Sequence, residues 1–189
     1  VNMQDSPVNR AADPVPEAAR AFGKGSFVMI LDDQTAELEC HLLILGECMT
    51  VPQMSFLIRH STGIVCVAME RSQLLKLGLR PAVEKSTDRS CCDFFTSTNY
   101  LPGTTNGMTA KDRAATVRAF CSSESTAEQF SKPGHIFPIC VRDGGLLERQ
   151  GVAEAAHELC RLAGTSTIAA CATLMKPDGE LLSMEECRS

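Results

Sequence analysis

Glu37, Glu39 and His41 alternate within the stretch ILDDQTAELECHLLIL, residues 30–45, just behind Asp32 and Asp33. In extended backbone, alternate side chains share one face. Two carboxylates and an imidazole on one face can ligate a hard divalent cation or work as an acid/base pair. The same residues, set between two apolar runs, also fit a solvated turn joining two strands.

Three further places carry chemistry. PGTTNGMTAKDR, residues 102–113, sets Gly, hydroxyl and basic residues ahead of a helix, where free N–H groups attract anions. A helix capped by Thr109 with an Asp112–Arg113 pair explains the same string. His135 stands between a glycine turn and an apolar run in KPGHIFP, placed for proton transfer near neutral pH or for a structural hydrogen bond. Arg149 precedes the last long helix and could hold an anion at its start. Arg59 and His60 end a predicted helix, where a cation suits the dipole. His157, among Ala and Glu, reads as a surface residue.

Alternating strands and helices must position these groups. SFVMIL, LLILGE, GIVCVAM, DFFTSTNY and TIAACATLM read as strands. Helices are predicted at AARAFGKG, at TVPQMSFLIRH behind a Thr50 cap, at ERSQLLKLGL up to Gly78, at TAKDRAATVRAF and at VAEAAHELCRLAG ending on Gly164. SKPGHIFPICV reads as a loop then a strand, with Pro138 arguing for an edge or a bulge. Residues 1–17 read as a flexible lead-in and 18–189 as one layered α+β domain.

Bulk properties exclude some classes. The chain has 189 residues, 44% of them hydrophobic, enough for one sizeable core. A net charge of -5, scattered basic residues and no Trp argue against nucleic acid and anionic membrane as partners. No apolar run approaches the ~18 residues of a membrane span, and no secretory start is evident, so a soluble cytoplasmic protein is expected. Ten cysteines without Cys-x-x-Cys spacing read as reduced, mostly buried thiols.

Taken in order, ILDDQTAELECHLLI, FLIRHSTGIVCVAM, TTNGMTAKDRAATVRAF, PGHIFPICVRDGGLLERQGVAEAAHELCRLAG and DGELLSMEEC resemble the 3,4-dihydroxy-2-butanone 4-phosphate synthase family. The resemblance implies a single α+β domain, a homodimer with active sites at the subunit interface, and Mg2+-dependent conversion of ribulose 5-phosphate with release of formate. It implies catalytic roles for Glu37, Glu39, Cys66 and His135, and His41, where the family has another residue, is expected to join them as an acid/base group. Substrate contacts would come from Arg59, Thr105, Asp112, Arg113, Arg149 and Glu154, and Glu37 would be a metal ligand.

Against that family's pattern, Ala36 stands for an arginine, His41 for an aspartate, Val152 for a metal-binding histidine, Ala153 for a threonine and Ala172 for a glutamate. Valine cannot replace imidazole as a ligand, so the chain is expected to need no metal or to hold Mg2+ weakly through Glu37. Family members continue beyond the closing block, so the chain is expected to be truncated at its C-terminus. Together these features predict a repurposed enzyme doing acid/base chemistry on a small carbonyl or polyhydroxy substrate. A genuine synthase, or a non-catalytic paralogue that binds a ligand or partner, are the alternatives.

Overall fold

Asp32 faces Glu39 across an antiparallel pair formed by β1 (Val28–Asp32) and β2 (Glu39–Leu45), with Ile30 opposite His41. This computed structural model describes residues 13–32, 39–87, 92–182 and 186–187. Ala36 and Glu37, and most of the expected lead-in, lie outside the described residues. β2 pairs in turn with β7 (Ala169–Thr173), antiparallel, with His41 opposite Thr173 and Leu43 opposite Cys171. β3 (Cys66–Met69) lies antiparallel to β7 and parallel to β6 (Phe130–Cys140), and the short β4 (Asp93–Phe94) and β5 (Thr98–Tyr100) pair with β6. The sheet order is β1-β2-β7-β3-β6-β4, with β5 joined to β6.

Period-two alternation assigns the two faces. Leu43, Leu45, Ala68, Ile139 and Cys171 form one face, under Ala19 and Phe22 of α1 (Val15–Phe22) and Ala153, Ala156 and Leu159 of α5 (Val152–Ala163). Leu42, Ile44, Val67, Met69, Ala170 and Ala172 form the other. That face packs on α2 (Val51–His60), α3 (Arg71–Lys76) and α4 (Ala110–Cys121) through Met54, Leu57, Leu74 and Val117. Each fully buried Leu, Val or Met is worth about 1.5–3 kcal/mol, so the two faces together specify the register of the sheet. This is the mixed α+β domain expected.

Helix ends follow the local sequence. Thr50 caps α2 reciprocally with Gln53, its hydroxyl oxygen accepting from Gln53 N at 3.4 Å while its own N–H donates to Gln53 Oε1 at 2.9 Å. Gly164, at φ 67°, ends α5 in the left-handed conformation that costs glycine least.

Three elements differ from the sequence reading. α1 begins at Val15, so residues 15–17 are its first turn and not lead-in; Pro16 suits a first turn, whose N–H groups have no intrahelical partner. DFFTSTNY is not one strand but β4 and β5, with a bulge between Thr98 and Asn99. β6 begins at Phe130, ahead of the predicted loop, and Pro138 sits inside it with β3 on one side and β4 on the other. The N–H groups of Phe137 and Val141 point to β3, so the donor Pro138 lacks would have pointed to the β4 side. β4 pairs there only through two residues, and Phe95 N donates to the Pro138 carbonyl at 2.9 Å.

Candidate active site

A cavity of about 430 Å³ opens on the α1/α5 face of the sheet, at the N-terminus of α5. One wall is the strand row Asp32, Glu39, His41 and Thr173. The floor carries Cys66, Cys92 and Cys171, and the facing wall is Arg149, Gln150, Gly151, Val152 and Ala153. The alternation of Glu39 and His41 thus does what the sequence implied, and β7 adds Thr173 in the same row.

His41 is the centre of the first wall. It is 7% exposed, its Nε2 lies 3.4 Å from Glu39 Oε2, and its Nδ1 lies 3.2 Å from Thr173 Oγ1. Burial pushes its pKa down, against a smaller opposing pull from the Asp32 carboxylate. His41 is therefore a neutral imidazole at neutral pH, able to give and take a proton.

Arg149 is locked from behind. Its Nε donates to Glu154 Oε2 at 2.8 Å and its Nη2 to Glu154 Oε1 at 2.6 Å and to the Cys140 carbonyl at 3.0 Å. Asp93 Oδ2 stands 3.6 Å from its Nη1 and 2.7 Å from Arg142 Nε. Glu154, with a side chain 0% exposed, also accepts from Arg142 N at 2.8 Å. Burial works against the charge on Arg149, but the Glu154 hydrogen bonds and carboxylate outweigh it and raise its pKa. Glu154 therefore shapes the cavity through Arg149.

The thiols are quiet. Burial pushes Cys66 up to about 12 and Cys171 well above its usual value, with neighbouring thiols adding to it. Cys66 can offer a weak S–H donor to a ligand but not a thiolate at neutral pH. The nine cysteines within the described residues are all free.

A second cluster stands apart from this cavity. Asp112 is 1% exposed; its Oδ2 accepts from Thr105 N at 3.1 Å, from Thr105 Oγ1 at 2.7 Å and from Gly107 N at 3.1 Å. The loop ahead of α4 is thus held by the chain's own carboxylate, and Thr109 caps the helix by accepting from Asp112 N at 3.1 Å, the capped helix that was the alternative to an anion site. Gly107, at φ 78°, packs so closely on Asn99 that a Cβ there would come within 2.1 Å of its side chain. Asn99 Oδ1 in turn accepts from His135 N at 2.8 Å and His135 Nδ1 at 3.2 Å, which leaves His135 Nε2 as an acceptor. Thr105, Asp112 and His135 do not line the cavity. Arg113 reaches its rim indirectly, through a 2.9 Å hydrogen bond to the Gly63 carbonyl beside Thr62 and Ile64. Arg59 is exposed at the end of α2, in neither group.

The Thr105 hydroxyl, followed by the N–H groups of Thr105 and Gly107, holds the Asp112 carboxyl below its ordinary pKa. A depressed folded pKa stabilises above the unfolded value and is lost as pH falls through the folded one. Unfolding measured from pH 7 to pH 2 is expected to show the wild type losing stability below about pH 4. Asp112→Asn, less stable at neutral pH, should lose less over that window.

Sequence reasoning missed Thr173 and the Asp93–Arg142 arm of the Arg149 network. Thr173 lies 132 residues from His41, and only the β2–β7 register joins them.

The comparisons with known proteins agree with this architecture. The model of the 3,4-dihydroxy-2-butanone 4-phosphate synthase family matches residues 16–189. A protein of that name from Schizosaccharomyces pombe is 41% identical over 177 residues, covering 93% of this chain and 87% of its own length. The crystal structure of the Candida albicans enzyme of that name superposes with a TM-score of 0.84 at 33% identity, covering 93% of this chain and 87% of that one. A structure of such a synthase in complex with two magnesium ions gives 0.84 at 35% identity, covering 91% and 80%. The chain belongs to the 3,4-dihydroxy-2-butanone 4-phosphate synthase family.

Proposed function

We propose that the chain is a working 3,4-dihydroxy-2-butanone 4-phosphate synthase that takes ribulose 5-phosphate and releases formate. The observation that carries this reading is the level of identity to proteins of that name across almost the whole chain. It takes precedence over the repurposed enzyme that the substitutions suggested.

The reaction begins with enolisation, which needs a base near a carbon acid and an acid near a carbonyl oxygen. Glu39 is the base in this reading, and His41, holding a proton on Nε2 beside it, relays protons between Glu39 and the substrate oxygens. Val152, Ala153 and Ile64 exclude water from the opposite side. Arg149 lines the cavity with its Nε and Nη2 donors held by Glu154 and the Cys140 carbonyl, so it acts chiefly through its fixed positive field.

The family implies Mg2+, and the donor set decides how it could be held. Among the described residues, no group of three or more His, Cys, Asp or Glu converges to hold a metal ion. The α5 wall offers Val152 and Ala153, which have no donor side chains. Asp32 lines the cavity, and Glu37, the metal ligand that the resemblance implies, lies outside the described residues. That set fits Mg2+ in its usual manner, on one or two carboxylates completed by water and substrate oxygens. Asp32 and Glu37 would hold it there, and it would supply Lewis-acid stabilisation of enediol oxygens.

We extend the reading to a homodimer. Thr105, Asp112 and His135 are apart from the cavity in one chain, and the resemblance puts both clusters in one active site. A second copy is the arrangement that would bring them together.

A second reading is favoured by one observation: the apolar α5 wall. A cavity with Val152 and Ala153 where the family pattern has polar groups suits acid/base chemistry on a less polar carbonyl substrate, with Glu39 and His41 unchanged in role. Formate release from ribulose 5-phosphate, measured with and without Mg2+, separates the two: formate supports the first, and its absence at every Mg2+ concentration supports the second.

A further inference from the structure

Behind the Arg149 wall of the cavity stands a second guanidinium, that of Arg142, with Asp93 of β4 between the two. Neither Asp93 nor Arg142 lines the cavity. Asp93 Oδ2 lies 2.7 Å from Arg142 Nε and 3.6 Å from Arg149 Nη1, and its Oδ1 accepts from Arg142 Nη2 at 3.2 Å. Strand alternation puts it there. Cys92 and Phe94, on either side, face the cavity, so the side chain of Asp93 turns behind it. Its register partner on β6 is Cys140, whose carbonyl accepts from Arg149 Nη2. Glu154 is the other inner carboxylate, bonded to the Arg149 side chain and to the Arg142 N–H. Glu148 approaches Arg142 at 3.9 Å from the solvent side, where water screens it.

We propose that Asp93 is a specificity-determining residue of this site: it offsets the charge of Arg142 and Arg149, and so loosens the hold of this wall on a phosphate-type dianion. This rests on the reading that a phosphorylated substrate occupies the cavity. Two of the Arg149 nitrogens are held from behind, so a ligand meets chiefly its field. That field is summed over the cluster, and Glu154 alone would leave the two guanidiniums with one net positive charge. Asp93 removes that excess without touching the ligand. A looser hold has a use. Binding that is equally strong in ground state and transition state lowers KM without raising kcat, so little is gained by gripping the phosphate tightly.

The test is calorimetric titration of inorganic phosphate at low ionic strength into wild type, Asp93→Asn, Arg142→Gln and the double variant, each shown to be folded by thermal unfolding. Asparagine keeps the shape of aspartate and removes its charge. Asp93→Asn should bind phosphate roughly tenfold more tightly than wild type, and Arg142→Gln more weakly by a similar factor. The double variant should return to the wild-type affinity, because its net charge is restored, and added salt should shrink every difference. KM for ribulose 5-phosphate should follow the same order. A purely structural Asp93 would instead give weaker binding in Asp93→Asn and no repair in the double variant. Affinity unchanged or weakened in Asp93→Asn, a double variant as tight as Asp93→Asn, or no measurable binding in any of the four would overturn the proposal. If no variant releases formate but the calorimetric order holds, the proposed reaction fails alone and the role of Asp93 stands.

Discussion

Replacing Glu154 with alanine should lower the unfolding free energy by about 3–5 kcal/mol. Glu154 is wholly buried and accepts two hydrogen bonds from Arg149 and one from the backbone N–H of Arg142. Its removal takes both carboxylate hydrogen bonds from a guanidinium that is 13% exposed, whose other contacts include the Cys140 carbonyl and Asp93 at 3.6 Å. A buried charge without its partner costs far more than the pair contributed. Domains of this size are stable by about 5–15 kcal/mol, so the variant should sit near the threshold of folding. Glu154→Leu combined with Arg149→Met, which removes both charges and keeps apolar volume, should recover most of the loss. Urea denaturation at an unchanged m-value reads both effects.

His41→Ala should lower turnover by about 10²–10⁴-fold, the range for loss of a positioned acid/base group. Glu39→Gln should fall in the same range. The double variant should be little worse than either single one, because the two side chains act as one unit and such effects are not additive. The assay is the initial rate at saturating substrate, with folding checked by thermal unfolding. A double variant that loses the product of the two single effects would show that Glu39 and His41 act independently.

The parts of the fold with strong local signals were legible. The Thr50 cap, the Gly164 stop and the apolar run LLIL at 42–45 each encode their element within a few residues. The split of DFFTSTNY was not legible, because β4 and β5 owe their conformation to the long β6 partner and not to their own pattern. Pro138 misled for a related reason. Its missing donor falls on the β4 side, where the pairing of β4 stops at Ile139, and which side that is depends on register.

The site divides in the same way. Glu39 and His41 were visible because period two alone puts them on one face. Thr173 and the Asp93 contacts to Arg142 and Arg149 were invisible, because each joins segments that only the sheet order brings together. The cluster of Asp112, Thr105 and Gly107 is local, and of the two sequence readings the capped helix is the one seen: Thr109 caps α4 and Asp112 holds the loop ahead of it.

The most direct test of the account is to incubate the pure protein with ribulose 5-phosphate and Mg2+ and to measure formate. The account predicts formate released at an enzyme-like rate, saturable in substrate, lost on chelation of Mg2+ and lost in His41→Ala. No formate at any Mg2+ concentration, from protein shown to be folded, would contradict it.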